Sequence, residues 1–184
     1  MSNLIKYKKM IFLKYIEEKK IKKSILSISD KLNHKYKNKN LQIIGLLDGC
    51  VQTLNELTKH LKINYCIYNI KVSSYEGINR GKILIKDYVK FDQINAKDDI
   101  LIVDDIVDSG NTIKSVRKLI NDSISNDNIK IYSLLTKKET LHLCDWYSFI
   151  IPDKYVIGFG MDINNLFRDL NDIYIMKEND AEEK

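Results

Sequence analysis

The stretch formed by residues 100–112 constrains the fold of this chain more than any other part of the sequence. Apolar, mostly β-branched residues lead from Ile100 into two adjacent carboxylates, Asp104 and Asp105, and a third carboxylate, Asp108, follows shortly afterwards. The apolar run has the length and branching of a buried strand. Adjacent carboxylates repel each other, so such a pair needs a cation, basic partners or open water. The stretch therefore predicts a buried strand that runs into a charged site.

A turn of small and hydroxyl-bearing residues follows the acids, before a helical pattern begins at Thr112. The turn consists of Ser109, Gly110, Asn111 and Thr112. Backbone N–H groups at the start of a helix, together with hydroxyls, commonly hold a phosphate group. Acids suited to a metal ion thus lie a few residues from a turn suited to a phosphate. This combination favours a substrate that carries both.

The rest of the chain alternates between strand-like and helix-like patterns. Apolar residues recur at helical spacing between Glu17 and Tyr36, with lysines and glutamates between them. Strands are predicted at residues 10–13, 41–47, 65–72, 83–85, 100–103 and 129–135, and further helices at 51–61 and from 112 onward. This order predicts an α/β fold, a mostly parallel twisted sheet flanked by helices.

Several polar residues fall at or just beyond the ends of these predicted strands. They include Asp48, Asp104 and Lys137. Ligands of parallel α/β sheets bind at the carboxyl ends of the strands, so these side chains are expected to converge. Residues 73–81 are predicted to form a flexible loop, and residues 141–176 a small irregular cap packed against the sheet. The charged segment after Met176 is expected to fray.

Composition bounds the class of protein. The chain has 184 residues, 44% of them hydrophobic and 30% charged, which predicts a single globular domain spanning residues 1–184. The net charge of +5 comes from dispersed lysines, which indicates a solvated surface and no nucleic-acid partner. Three scattered cysteines without a C-x-x-C pair indicate a reducing cytoplasm. No apolar run approaches the ~20 residues of a membrane span, so no membrane association is expected.

Residues 100–112 resemble the fingerprint of the phosphoribosyltransferases, which bind 5-phosphoribosyl-1-pyrophosphate. A second long run, residues 151–170, resembles the purine-salvage members, the hypoxanthine–guanine phosphoribosyltransferases. The resemblance implies the type I phosphoribosyltransferase fold with a small cap formed by the termini. It also implies transfer of ribose 5-phosphate to N9 of hypoxanthine or guanine, giving IMP or GMP. Magnesium as cofactor, a cytoplasmic location and a homodimer or homotetramer are further implications of the resemblance.

The same resemblance assigns roles to the opening stretch. It places Asp104 and Asp105 at the ribose hydroxyls, directly or through magnesium and water, with Asp104 a mild variant of a common Glu. It makes Asp108 the general base near N7 of the purine, against the alternative of a turn-capping Asp at a helix entry. Ser109, Gly110, Asn111 and Thr112 would hold the 5-phosphate. Asn111 replaces a frequent Lys.

Pyrophosphate contacts are implied at several separate places. Backbone N–H groups of Gly49 and Cys50 would bind it, although the family often has Lys or Arg where this chain has Asp48. Ser74 and Tyr75 match a mobile loop that closes over the site, since the reaction needs water kept out. Arg168 matches a pyrophosphate-binding Arg, with a salt bridge to Asp169 or Asp172 as the alternative.

The purine would be bound by residues from the second half of the chain. Lys137 matches the donor to the purine O6, and alternation lets only one of Lys137 and Lys138 point inward. Tyr155 would stack on the base and Val156 would offer its backbone groups to the base edge, with core packing as the alternative for both. Asp162 would bind a second magnesium and place its backbone near the purine amino group.

Two other functions stay open from the sequence. One is the same enzyme with a specificity that accepts xanthine, because the residues near Lys137 and Val156 do not decide among the bases. The other is a regulator that binds 5-phosphoribosyl-1-pyrophosphate and nucleic acid. The regulator would need a continuous basic face and the loss of catalytic acids, whereas this chain keeps Asp108 and Asp162 and scatters its lysines.

Overall fold

The structure of the protein is a computed structural model that describes residues 3–74, 83–85, 93–126 and 128–177. At residues 73, 74 and 83–85 it describes the backbone alone. The strands are β1 Leu4–Tyr7, β2 Met10–Ile16, β3 Asn40–Leu47, β4 Asn64–Ser74, β5 Ile83–Ile85, β6 Asp99–Val107, β7 Ile129–Lys137, β8 Trp146–Ile151, β9 Val156–Ile157 and β10 Ile173–Met176. The helices are α1 Glu18–Lys35, α2 Val51–Thr58 and α3 Asn111–Ile124, with a 3₁₀ helix at Lys138–Leu143.

The main sheet confirms the predicted α/β class. Its strand order is β5-β4-β3-β6-β7-β8, and only the edge pairing of β5 with β4 is antiparallel among the pairings described. In the centre, Gly45 of β3 lies opposite Val103 of β6 and Asn69 of β4. Parallel strands bring their carboxyl ends to one edge, so β3, β6 and β7 deliver their last residues to the same place.

Helices cover both faces of this sheet. The predicted helical spacing of α1 buries a stripe of apolar residues, Ile21, Ile25, Ile28 and Leu32, in one core together with α2. On the other face, Ile113, Val116 and Ile120 of α3 pack in a second core. The sheet is therefore buried on both sides, which explains why β3 and β6 read as continuous apolar runs.

The prediction of an irregular cap over residues 141–176 was wrong for its first part. Trp146–Ile151 forms β8, the last parallel strand of the main sheet, with Trp146 opposite Tyr132 of β7. An edge strand pairs on one side only, and β8 buries only Ile151 fully. Its sequence therefore lacks the continuous or strictly alternating apolar pattern that marked the central strands.

The remainder of that segment joins the N-terminal residues in a second sheet, called the cap below. Its strands are antiparallel in the order β1-β2-β10-β9. Phe12, Ile157 and Tyr174 form its small core. The expected cap formed by both termini is thus confirmed, although β1 was not predicted.

The strand predicted at residues 100–103 extends further, because β6 ends only at Val107. Its partner β7 also continues, and Asp104 pairs with Ser133 while Ile106 pairs with Leu135. The acid pair thus lies within a paired strand. Successive strand residues point to opposite faces, so Asp105 points with Val103 toward α1, α2 and the cap, and Asp104 points toward α3.

Asp172 joins the cap to the rest of the molecule. Its carboxylate lies 2.7 Å from Nζ of Lys14 in β2 and accepts a hydrogen bond of 2.8 Å from the backbone N–H of Glu18 at the start of α1. Burial would raise the pKa of Asp172, but Lys14 and the Glu18 N–H outweigh it and lower the pKa. One carboxylate therefore fixes the cap against the first helix. Among the described helices, none is long and apolar enough to cross a bilayer.

Candidate active site

Two neighbouring pockets open at the carboxyl ends of β3, β6 and β7, beneath the cap. The larger pocket, about 510 Å³, is lined by Asp105, Ile106, Asp108, Lys137, Asp153, Lys154, Tyr155, Val156, Met161, Asp162 and Met176. The smaller pocket, about 220 Å³, is lined by Leu46, Leu47, Gly49, Val72, Asp104, Asp105, Ile106 and Thr112. Asp105 and Ile106 border both pockets, so the acid pair stands between them.

The acid pair is an electrostatically costly feature. Asp104 is 6% exposed, and its carboxylate accepts a hydrogen bond of 3.0 Å from the backbone N–H of Asp105. Burial, and then the charge of Asp105, raise the pKa of Asp104 well above its usual range. Burial also raises the pKa of Asp105, while Arg168 is one of the groups that oppose this change. Two crowded carboxylates of this kind favour a bound cation.

The loop formed by residues 47–50 lies against the acid pair. The peptide bond between Leu47 and Asp48 is cis. A Cβ added at Gly49 would lie 2.0 Å from a carboxylate oxygen of Asp105. On its other side, a Cβ at Gly160, whose φ is +100°, would lie 2.0 Å from the carbonyl oxygen of Gly49. The loop therefore fits between β6 and the cap only because both positions lack a side chain.

The side chains of Cys50 and Asp48 in this loop are not suited to binding pyrophosphate. Cys50 is fully buried, and burial raises the pKa of its thiol. Its N–H already donates to the carbonyl of Leu46 over a long 3.4 Å. The carboxylate of Asp48 lies 3.3 Å from Nζ of Lys71, on the adjacent strand β4. Backbone groups of the loop, with Gly49 foremost, remain the predicted donors to a ligand.

The turn between β6 and α3 has the form of a phosphate-binding turn. Gly110, with φ of +77°, precedes α3, and Ser109 Oγ accepts a 3.4 Å hydrogen bond from the N–H of Asn111. Gly110, the residue that precedes α3, has no side chain to cap the helix, so the long contact from Ser109 is the side-chain bond that the structure shows at this helix start. The first-turn N–H groups therefore point outward beside Thr112, which lines the smaller pocket. The alternative reading of Asp108 as a helix cap is not what the structure shows.

Lys137 stands at the centre of the larger pocket's polar groups. It ends β7, its side chain is 15% exposed, and it forms ion pairs with Asp108 and Asp153. Burial would lower the pKa of Lys137, but the two carboxylates outweigh it and raise the pKa. The side chain is therefore a permanently charged donor at neutral pH. Lys138 is exposed, so Lys137 is the inward-pointing member of the pair, as the alternation predicted.

Sequence reasoning missed Asp153. It follows the end of β8, and the rule that placed polar residues at strand ends would have found it had β8 been recognised. Lys71, Lys154 and Met161 were missed as well. Lys71 lies in a strand, and its pairing with Asp48 depends on the register of the neighbouring strand, which no local sequence pattern indicates.

The aromatic residue predicted at the base lines the larger pocket. Tyr155 is 48% exposed, its ring lies 6.4 Å edge-on from Phe12 of the cap, and its hydroxyl donates to the carbonyl of Asp162 at 2.9 Å. Val156 is buried at the start of β9. The ring is thus held at its hydroxyl and edge, with almost half of its surface free to meet a ligand.

Arg168 and Asp162 form a linked pair. Nη2 of Arg168 lies 2.6 Å from the Asp162 carboxylate, and Nη1 donates to the carbonyl of Gly160 at 2.7 Å. The other carboxylate oxygen of Asp162 accepts from the N–H of Asn165 at 2.6 Å. The partner of Arg168 is therefore Asp162, and the alternative pairing with Asp169 or Asp172 is not what these contacts show. The pair holds a guanidinium close to the 47–50 loop.

The structure describes only the first residue of the predicted Ser74–Tyr75 contact. Ser74 ends β4, where only its backbone is described, and Tyr75 lies outside the described residues. The closing loop therefore stays a prediction. Most of the other predicted site residues line one of the two pockets, namely Gly49, Asp104, Asp105, Asp108, Thr112, Lys137, Tyr155, Val156 and Asp162. Arg168 is paired with Asp162, and Cys50 is buried beside Gly49. Ser109, Gly110 and Asn111 lie in the turn before Thr112 and are not among the lining residues of either pocket.

Comparisons with known proteins show the family to which this chain is similar. A family model described as a phosphoribosyl transferase domain matches residues 14–164. Hypoxanthine-guanine phosphoribosyltransferase of Lactococcus lactis is 34% identical over 164 residues, 88% of each chain. The protein of that name from Streptococcus pneumoniae R6 is 31% identical over 168 residues, 89% of this chain and 92% of the other. A crystal structure of a hypoxanthine phosphoribosyltransferase from Staphylococcus aureus superimposes with a TM-score of 0.80 at 28% identity, covering 89% of this chain and 90% of that one.

Proposed function

This chain belongs to the phosphoribosyltransferase family, and on that premise we propose that it transfers ribose 5-phosphate from 5-phosphoribosyl-1-pyrophosphate to N9 of hypoxanthine or guanine. The products are IMP or GMP and pyrophosphate. The observation that carries the choice of base is the ion pair between Lys137 and Asp108 in the larger pocket.

That ion pair matches one edge of a 6-oxopurine. The base presents an acceptor, O6, beside N7, whose proton must leave as N9 attacks the sugar. An ammonium group can only donate, and a carboxylate accepts. Lys137 therefore suits O6 and Asp108 suits the N7 proton, each exchanging its present partner for the base. A 6-aminopurine presents a donor to Lys137 instead, so adenine is disfavoured.

Tyr155 completes the base site. Almost half of its surface is free, and stacking a purine on an aromatic ring contributes about 1–3 kcal/mol. Its hydroxyl bond to Asp162 fixes the ring before the base arrives. Binding a base against an orientated ring loses less conformational entropy than ordering a free side chain.

The donor fits the smaller pocket and its borders. The turn at 109–112 would hold the 5-phosphate through N–H groups and hydroxyls, and the acid pair would meet the ribose. The bond at the sugar C1 then lies where the two pockets meet, with the leaving pyrophosphate toward Gly49 and Arg168. Negative charge grows on that leaving group, so orientated N–H donors and a guanidinium stabilise the transition state.

Magnesium is the proposed cofactor. Asp104 and Asp105 fit it, because burial raises the pKa of both carboxylates, so that a nearby cation would stabilise their charged forms, and Mg²⁺ commonly takes one or two carboxylates plus water and substrate oxygens. Asp162 would serve a second ion. In the described part of the chain, no three Asp, Glu, His or Cys side chains form a ready-made metal cluster. When bound, magnesium neutralises charge on the pyrophosphate.

The setting follows from the same proposal. The enzyme acts in the cytoplasm as one domain, in keeping with the unpaired thiols of Cys50, Cys66 and Cys144. It assembles as a homodimer or homotetramer, and light scattering distinguishes the two.

The pair Lys137 and Lys138 supplies a matched test of this proposal. We expect Lys137→Met to abolish most IMP formation from hypoxanthine and to raise the Michaelis constant for the base, because O6 loses its donor. Lys138→Met removes the same charge from the adjacent exposed position and should retain wild-type rates. Initial rates with magnesium and saturating 5-phosphoribosyl-1-pyrophosphate measure both, and equal rates in the two variants would contradict the assignment.

A further inference from the structure

The 47–50 loop presents an acid where the proposed reaction develops negative charge. We propose that Lys71 is a further pyrophosphate-binding residue and that Asp48 is the partner that pyrophosphate displaces from it. This inference rests on the proposed function, because it concerns the leaving group of that reaction. The contact that carries it is the 3.3 Å separation between the Lys71 Nζ and the Asp48 carboxylate.

Strand geometry directs Lys71 toward the site. Lys71 pairs with Leu47, so it lies beside the first residue of the loop. Its neighbours Ile70 and Val72 pack in the core on the α3 side of the sheet. Because strand side chains alternate, Lys71 points to the opposite face, which is also the face of Asp105. Its ammonium group thus lies beside Asp48, the residue before Gly49. A Cβ added at Gly49 would lie 2.0 Å from the Asp105 carboxylate, so Gly49 lies close to that side chain.

The pyrophosphate donor needs more positive charge than the turn at 109–112 provides. The donor carries a phosphate and a pyrophosphate, yet the turn at 109–112 contributes no basic side chain. Lys137 lies among the groups of the base pocket, and Arg168 lies at the border with the loop. With Asp48 itself acidic, Lys71 supplies the positive charge on the β4 side of the leaving group.

Lys71 can exchange Asp48 for pyrophosphate at a small cost in free energy. Lys71 and Asp48 are 45% and 46% exposed, so both side chains remain hydrated and their pairing is weak. Pyrophosphate carries more charge than one carboxylate and accepts several hydrogen bonds, so it displaces Asp48. Asp48 therefore competes with pyrophosphate for the Lys71 ammonium group.

The test is calorimetric binding of magnesium pyrophosphate to the full chain, beside binding of IMP alone. We expect Lys71→Met to weaken pyrophosphate binding about tenfold, the lower end for a hydrogen bond to a charged group, while the affinity for IMP stays within about twofold. Lys71→Arg should restore most of the loss. Asp48→Asn should tighten pyrophosphate about threefold by removing the competing carboxylate.

Lys130→Met is the matched control. Lys130 lies on β7, its Nζ is 2.8 Å from Asp145, and its exposure of 40% is similar. Pyrophosphate affinity of Lys71→Met equal to that of Lys130→Met would overturn the inference while leaving the proposed function intact if the wild type forms IMP. A wild type that neither binds pyrophosphate nor forms IMP would overturn both.

Discussion

At the scale of single residues, the central feature is a lysine that two carboxylates keep charged. Lys137 forms ion pairs with Asp108 and Asp153. In the proposed reaction the purine takes the place of these partners, with Lys137 at O6 and Asp108 beside N7. The pair sets a donor next to an acceptor, the two groups that this proposed role requires.

Replacing Asp108 tests the acceptor. We expect Asp108→Asn to lower turnover by about 10²–10⁴, the usual contribution of a general base, because an amide cannot take the N7 proton. Binding of 5-phosphoribosyl-1-pyrophosphate should change little, since the residue faces the base. Steady-state kinetics and calorimetry measure the two quantities separately.

Asp122→Asn is the control for that substitution, because Asp122 pairs with Lys118 on the exposed side of α3. It should keep wild-type turnover. Near-normal turnover in Asp108→Asn would remove Asp108 from the chemistry.

Lys137 was predictable as a polar residue at a strand end, whereas Asp104 and Asp105 were predictable because adjacent acids interrupt an apolar run, although they lie within β6 and not at its end. Asp153 and Lys71 were not, because each acquires its partner through a neighbouring strand. Side chains that meet across strands leave no local pattern in the sequence. The residues of the turn at 109–112 are contiguous, so their small size and hydroxyl groups can be recognised together.

At the scale of elements, the cap and α1 depend on one carboxylate. Asp172 binds Lys14 of β2 and the first N–H of α1, and these contacts lower its pKa. A carboxylate with a lowered pKa contributes stability above its unfolded-state pKa, and that stability is lost as the pH falls through the folded-state value. The joint between cap and helix is therefore sensitive to acid.

We expect Asp172→Asn to lower the melting temperature by several degrees at neutral pH. The amide keeps an acceptor for the Glu18 N–H but loses the charge that Lys14 requires. The difference from wild type should shrink below pH 4 and vanish in stronger acid, where the wild-type carboxyl is also protonated. Melting curves across this range measure it, with exposed Asp169→Asn as control. A constant difference at all pH values would refute the electrostatic account.

Two glycines of the cap separate stability from ligand binding. Gly158 and Gly160 have φ of +96° and +100°, and a Cβ at each would meet a backbone oxygen at 2.1 Å and 2.0 Å, those of Asp172 and Gly49. Alanine at either position should lower the melting temperature. Only Gly160→Ala should also weaken pyrophosphate binding, because it displaces the 47–50 loop.

Thermal melting and pyrophosphate calorimetry on the folded variants distinguish the two effects. Equal pyrophosphate affinity for Gly158→Ala and Gly160→Ala would show that the cap does not position the loop. The central strands and all three helices were predictable from periodicity. β1, β8, β9 and β10 were not predicted as strands. β1 and β8 are edge strands that bury few residues, and β9 and β10 are too short to impose a clear pattern on the sequence.

At the scale of the whole molecule, a doubly covered sheet presents its strand ends to a cap made from both ends of the chain. The pairing of β2 with β10 connects residues far apart in sequence, and no local signal specifies it. The cap carries Tyr155, Asp162 and Arg168 to acids delivered by β6. In the proposed reaction the sheet and the cap therefore both contribute residues to the site.

The proposed function requires the site to select a purine by the hydrogen-bond acceptor at its C6 position. The direct measurement is turnover of the purified chain with 5-phosphoribosyl-1-pyrophosphate and magnesium, offered hypoxanthine, guanine, xanthine and adenine side by side. The expected result is rapid formation of IMP and GMP with release of pyrophosphate, and no detectable AMP. Formation of AMP at a rate equal to or above that of IMP would contradict it.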